Sequence, residues 1–239
     1  ANAGDLADAA AFPAQDPAQA WNALAIGGYT QKTDITEAGY QGWTPSAAVG
    51  EASPYSRSSK LWHSSKSPFK PDLVFEAGNR AISPSGLEAI AGLDSISLLT
   101  TSRQVDTNPL TAFWATSAAT AQAARMAAHI GAAYPSYWPE TVRALMVHSA
   151  WWTPAMLAAI DECAGKKDKT DCVRRFGYGV PDLGRAAASA IDDLALVAQN
   201  TIQPFRKDSS VRFNEAHVYA LPWPREMLEE LDNTRVRLK

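Results

Sequence analysis

Apolar and polar positions along this chain fall into two kinds of block. Three short runs are apolar almost throughout: ALAIGGYT at 23–30, DLVFEAG at 72–78 and ISLLTTS at 96–102. Each is bounded by polar or turn-forming residues and is too short for a helix. Each therefore reads as a strand buried on both faces. The first twenty residues read as a loop with turns at Pro13 and Pro17. The stretch WTPSAAVGEASPYSRSSKLWHSSKSPFKP, residues 43–71, is rich in Ser, Pro and Gly, which favours turns over regular elements.

A different pattern begins with FWATSAATAQAARMAAHI, residues 113–130. The clearly polar positions Gln122, Arg125 and His129 are three and four apart, so they form one narrow stripe on a helix. The rest is mostly Ala, Met and Ile. This predicts a helix over 117–133 that is covered on most sides. Tyr134-Pro135 ends it, because a residue before proline disfavours helical backbone. A second helix starts at Pro139, with Val142, Leu145, Met146 and Ser149 on one side. FGYGVPDLGRAAASAI, residues 176–191, reads as a glycine-rich turn leading into a third helix.

The character changes at about Thr201. Alternation in VRFNEAHVYALPW, residues 211–223, predicts antiparallel strands, and VRLK at 236–239 looks like a strand just begun. Apolar strands alternating with helices give an α/β class: a largely parallel sheet flanked by helices in three layers. Residues 1–200 are expected to form that unit, and 201–239 the beginning of a β-rich C-terminal module.

Composition narrows the functions. With 46% hydrophobic and 20% charged residues, the 239-residue chain can pack a core. A net charge of −3 gives no electrostatic case for nucleic acid. No apolar run is long enough to span a membrane. Two cysteines, Cys163 and Cys172, stand in CAGKKDKTDC, which reads as a polar loop. A local disulfide and two free thiols both fit there, so the compartment stays open. No histidines or cysteines have metal-ligand spacing, and no cofactor or metal is expected.

Ser117 stands where the alanine-rich helix begins. A hydroxyl there has two readings. It can cap the helix, worth about 1 kcal/mol. It can also be a nucleophile whose developing oxyanion meets a backbone N–H at the helix start. No GxSxG elbow surrounds any serine, which counts against an α/β-hydrolase esterase.

The wider context resembles the subtilisin-like serine peptidases, the subtilases. In that family the nucleophile lies in Gly-Thr-Ser-x-Ala and opens a buried helix, and a later helix carries Val-Arg. Here Thr116-Ser117-Ala118-Ala119 and the segment from Tyr134-Pro135 to Val142-Arg143 stand in those places. AWNALAIGGYT resembles the family's strand after the oxyanion loop, ASPYSRSS its "A-x-F-S-S" stretch, and FKPDLVFEAG its "KPD-(apolar)-x-A-P-G". FGYGVPDLGRAAASA resembles its closing helix. The matches fall in the family's order over residues 1–195.

The resemblance implies a serine endopeptidase with Ser117 as nucleophile. Asn2, in ANAGD, resembles the oxyanion asparagine of "A-G-N-x-G" and would supply a second donor. The family's catalytic aspartate and histidine lie upstream of that asparagine. They are thus expected on a missing upstream half that would be this chain's partner, together with a protein or peptide substrate. None of the four histidines serves as base: His63 reads as a solvated loop residue, His129 lies about three turns from Ser117, His148 ends a helix, and His217 reads as a strand residue.

Departures are visible too. Ala115 replaces the glycine before Thr116, Ala121 replaces a proline, and Glu76-Ala77 stands for Ala-Pro. GNRAISPSGLEAIAGLDSISLL, residues 78–99, is a long insertion. These keep open a second reading, an inactive pseudo-peptidase that binds peptides. A third is a small-molecule hydrolase using Ser117. Exposed edges at the two ends of the chain are expected to favour association.

Overall fold

The computed structural model describes residues 12–62, 67–188, 196–220 and 225–230. Nine strands and six helices are named here within those residues. Strand β1 (Ile26–Tyr29) pairs in parallel with β3 (Leu73–Glu76), Ile26 opposite Leu73 and Tyr29 opposite Glu76. These are the centres of two of the apolar runs. Their uniform hydrophobicity has a direct cause, because both faces of β3 are covered. Leu73 and Phe75 pack with Ala119, Ala123, Met126 and Ile130 of α1 (Ala115–Ala133) and with Leu145 and Met146 of α2 (Pro139–Ser149). Val74 points the other way, into a cluster with Ala52, Met156 and Phe176. Met156 belongs to α3 (Pro154–Asp161) and Phe176 to α4 (Lys166–Phe176). Helices on both sides of a parallel pair give the α/β, three-layer arrangement read from the sequence.

The remaining sheets are antiparallel. Strand β2 (Thr44–Pro45), β4 (Arg80–Ile82) and β5 (Ala89–Ala91) form one sheet in the order β2-β4-β5. The insertion at 78–99 therefore supplies two strands of a small sheet completed by β2. Its core is Ala81, Leu93 and Ile96, with Tyr40 and Trp43 packed against them. The third apolar run becomes β6 (Leu98–Gln104), paired antiparallel with β7 (Asn108–Phe113) in a ribbon that feeds into α1. The run is not doubly buried, since Leu99 stays 67% exposed.

Three further expectations need correction. Helix α1 is covered on one face only: Thr120, Ala121, Ala124, Arg125, Ala128 and His129 are exposed. Alanine is too small to reveal from sequence which of its positions meet the core. The cysteine segment is helical over most of its length, as α4. Finally, the C-terminal alternation forms one short hairpin, β8 (Phe205–Lys207) with β9 (Val211–Phe213). Residues 214–220 carry no regular structure, so His217 is not a strand residue. Helix α5 (Leu183–Ala188) closes the core at Ala186, and α6 spans Arg225–Glu230. VRLK at 236–239 lies outside the described residues.

Candidate active site

The chain leaves β7 at Phe113 and enters α1 through a sharp turn. Trp114 is extended, with φ −144° and ψ −173°, and offers no side-chain cap. Ala115 then takes φ 66°, the left-handed region that normally falls to glycine. Among the described residues it alone, apart from glycines, has a positive φ. For an alanine this costs roughly 1–2 kcal/mol. The tertiary structure holds it there. The Ala115 N–H donates to the Ala77 carbonyl at 2.8 Å. The Trp114 indole lies against Gly92, where a Cβ would come within 2.8 Å of the ring. Gly78, with φ 75°, lets Ile96 and Trp114 close over the turn at 76–79.

Ser117 is the third residue of α1 and is exposed, while its neighbours Ala118 and Ala119 are 1% and 0% exposed. The buried alanines seat the helix on the β1–β3 pair, so the serine faces outward. No hydrogen bond joins its hydroxyl to another described residue. The capping reading of Ser117 therefore has no support in the geometry. Its N–H belongs to the first helical turn, whose amides lack partners within the helix. The positive end of the helix dipole lies at the same place. A small cavity of about 150 Å³ opens beside this turn, walled by Thr116, Ile26, Lys70 and Arg57.

Gln122 fixes the helix against the sheet. Its Nε2 donates to the Glu76 carbonyl at 2.8 Å and to the Ala118 carbonyl at 3.1 Å. The Glu76 carboxylate in turn accepts from the Gly78 N–H at 2.8 Å and the Gln31 N–H at 2.6 Å. The glutamate that departs from the family pattern thus ties its own turn together.

One group was not singled out from the sequence. Lys70 is 1% exposed, and its Nζ donates to Asp72 Oδ2 at 2.8 Å and to the Ala23 carbonyl at 2.7 Å. Arg143 of α2 reaches Asp72 Oδ1 at 2.7 Å, and the Ala25 N–H adds a third bond to that carboxylate at 2.7 Å. Two segments read separately, KPD and VR, meet in this network. A buried lysine needs such partners, because desolvating an unpaired charge costs several kcal/mol. The signal available was two charges flanking a doubly buried strand.

The other site residues are not brought to Ser117. Asn2 and His63 lie outside the described residues. His129 sits on the exposed face of α1, His148 in the last turn of α2, and His217 beside Tyr219 in the C-terminal segment. No hydrogen bond connects any of these three to the serine. Cys163 and Cys172 are free thiols with sulfurs 3.3 Å apart.

The Peptidase S8, or subtilase, family model matches residues 3–179, which include Ser117, both halves of the Lys70–Asp72–Arg143 network and the glycine turn before α5. This chain belongs to the subtilase family. Subtilases are serine peptidases, so hydrolysis of peptide bonds is the class of chemistry this family performs. The matched residues begin just after Asn2. A search of curated proteins finds no match.

Proposed function

We propose that this subtilase chain carries the nucleophile of a serine endopeptidase. Ser117 Oγ attacks the scissile carbonyl, and a histidine outside this chain takes the proton, oriented by an aspartate also outside it. The tetrahedral oxyanion is held by the Ser117 N–H and by the side-chain amide of Asn2. Residues 1–200 form the peptidase unit, and 201–239 begin a separate module. The observation that carries the reading is the exposed hydroxyl of Ser117 in the first turn of α1, unused as a cap.

The test is fluorophosphonate labelling. The chain alone should label very slowly, for lack of a base. Supplying the upstream segment should restore labelling at Ser117 and peptide hydrolysis. Rapid labelling of the chain alone would overturn the assignment of the base to another segment. The donor can be tested separately. Loss of about 10²–10³-fold in kcat should follow Asn2→Ala.

A second reading draws on Ala115. A strained alanine stands where the family carries glycine, and a pseudo-peptidase would tolerate a less well-formed nucleophile turn. Peptide binding without labelling, with the upstream segment present, would favour it.

A further inference from the structure

The thiol pair stands apart from the peptidase reading and from Ser117. Cys163 follows the end of α3, and Cys172 lies on α4. They are nine positions apart in sequence, yet their sulfurs are 3.3 Å apart. Both converge on one acceptor, the Ala159 carbonyl, at 3.2 Å from Cys163 and 3.7 Å from Cys172. Both residues are half-buried, so a small reagent can reach them. Closing this contact to a covalent bond asks for side-chain movement of about an ångström.

We propose that Cys163 and Cys172 are a reversible oxidation site. They form an intramolecular disulfide by exchange with a small anionic disulfide such as oxidised glutathione.

The exchange is balanced. The Cys163 thiolate attacks one sulfur of the reagent, forms a mixed disulfide and releases one glutathione thiolate. Cys172 then loses its proton to solvent, and its sulfur attacks that of Cys163. The Cys163–Cys172 bond forms, and the second glutathione thiolate leaves. Two protein thiols are oxidised, and one glutathione disulfide is reduced to two thiols. Cys163 is the first to react because burial, with the hydrogen bond to Cys163, pushes the Cys172 thiol up to about 11. Lys60 and Arg175 act electrostatically on Cys172 in the opposite sense, and their positive charge also favours an anionic reagent.

The bond would tie α3 to α4 at their junction. Beyond that junction, α4 carries Arg174, whose Nη1 contacts the Ser59 carbonyl and hydroxyl at 3.4 and 3.3 Å and whose guanidinium lies 4.8 Å from the Phe69 ring. It also carries Phe176, packed with Val74 of β3. Oxidation would therefore stabilise the helical layer that backs the sheet, mainly by restricting the unfolded chain.

The experiment treats the 239-residue chain with oxidised glutathione and follows mass, thiol count and thermal unfolding. The expected product is 2 Da lighter, has lost both alkylatable thiols, and yields a crosslinked Cys163–Cys172 peptide. Its Tm should rise by about 5 °C and return on reduction with dithiothreitol. Cys172→Ser should stop the reaction at a glutathione adduct on Cys163, with no gain in Tm. Two thiols that both stay alkylatable, or stable glutathione adducts on both cysteines of the unaltered chain, would overturn the proposal.

Discussion

Two helices of this chain begin beside a hydroxyl, and they use it in opposite ways. Thr153, before α3, is 1% exposed. Its Oγ1 accepts from the Met156 N–H at 3.2 Å and donates to the Gly50 carbonyl at 2.6 Å. It is a cap and a crosslink at once, and it has no capacity left for chemistry. Ser117 sits in the first turn of α1, exposed, with Trp114 at the cap position and no side-chain cap. The sequence puts a small hydroxyl residue near a helix start in both cases. The difference lies in where the backbone turns. At α3 it turns at the hydroxyl residue itself. At α1 it turns at Ala115, two residues earlier, so the serine is carried past the capping position and into the first turn.

A third start, that of α2, is completed from afar. The Gln199 side-chain oxygen accepts from the Trp138 N–H at 2.7 Å and the Thr141 hydroxyl at 2.6 Å. That contact anchors the otherwise exposed C-terminal segment to the core unit.

The contrast can be broken by substitution. Ser117→Ala should abolish fluorophosphonate labelling in the presence of the upstream segment. It should leave stability within about 0.5 kcal/mol, as for a surface change without a cap. A loss above 1 kcal/mol in urea unfolding would mean that the serine does cap. Thr153→Ala should do the reverse: a loss of about 2 kcal/mol, since the cap goes and the Gly50 carbonyl is left unpaired in the interior. Labelling of Ser117 should be unchanged. Gln199→Ala should cost about 1 kcal/mol by urea unfolding. It should also raise proteolytic susceptibility around residue 200. Ala115→Gly is expected to have the smallest effect, a gain of about 0.5 kcal/mol. Relief of the left-handed alanine exceeds the entropy that glycine adds to the unfolded chain. A destabilised Ala115→Gly would show that the turn is not strained.

The strands at 26–29 and 73–76 were legible because a doubly buried parallel strand leaves an unbroken apolar run. Helix α2 was legible from its proline start and its one-sided apolar positions. Helix α4 was not. Its first turns, KKDKTD, look like solvated loop, and the residues that hold it, Arg174 and Phe176, come at its end and act through distant partners. The exposed face of α1 was misread for a related reason. Alanines on either side of a helix look alike until a neighbour is placed against one of them.

The order of residues by itself determined the α/β alternation, the position of Ser117 near a helix start and the kinship with the subtilases. These rest on local periodicity and on motif order, which a linear chain displays. Only the tertiary structure decided that Ala115 adopts a left-handed turn, that Ser117 is thereby freed from capping, and that Lys70 and Arg143 share the carboxylate of Asp72. Each depends on atoms from segments remote in sequence: Ala77 and Gly92 for the turn, and Ala23, Ala25 and α2 for the charges. Neither propensity nor spacing along the chain records which of those segments come into contact.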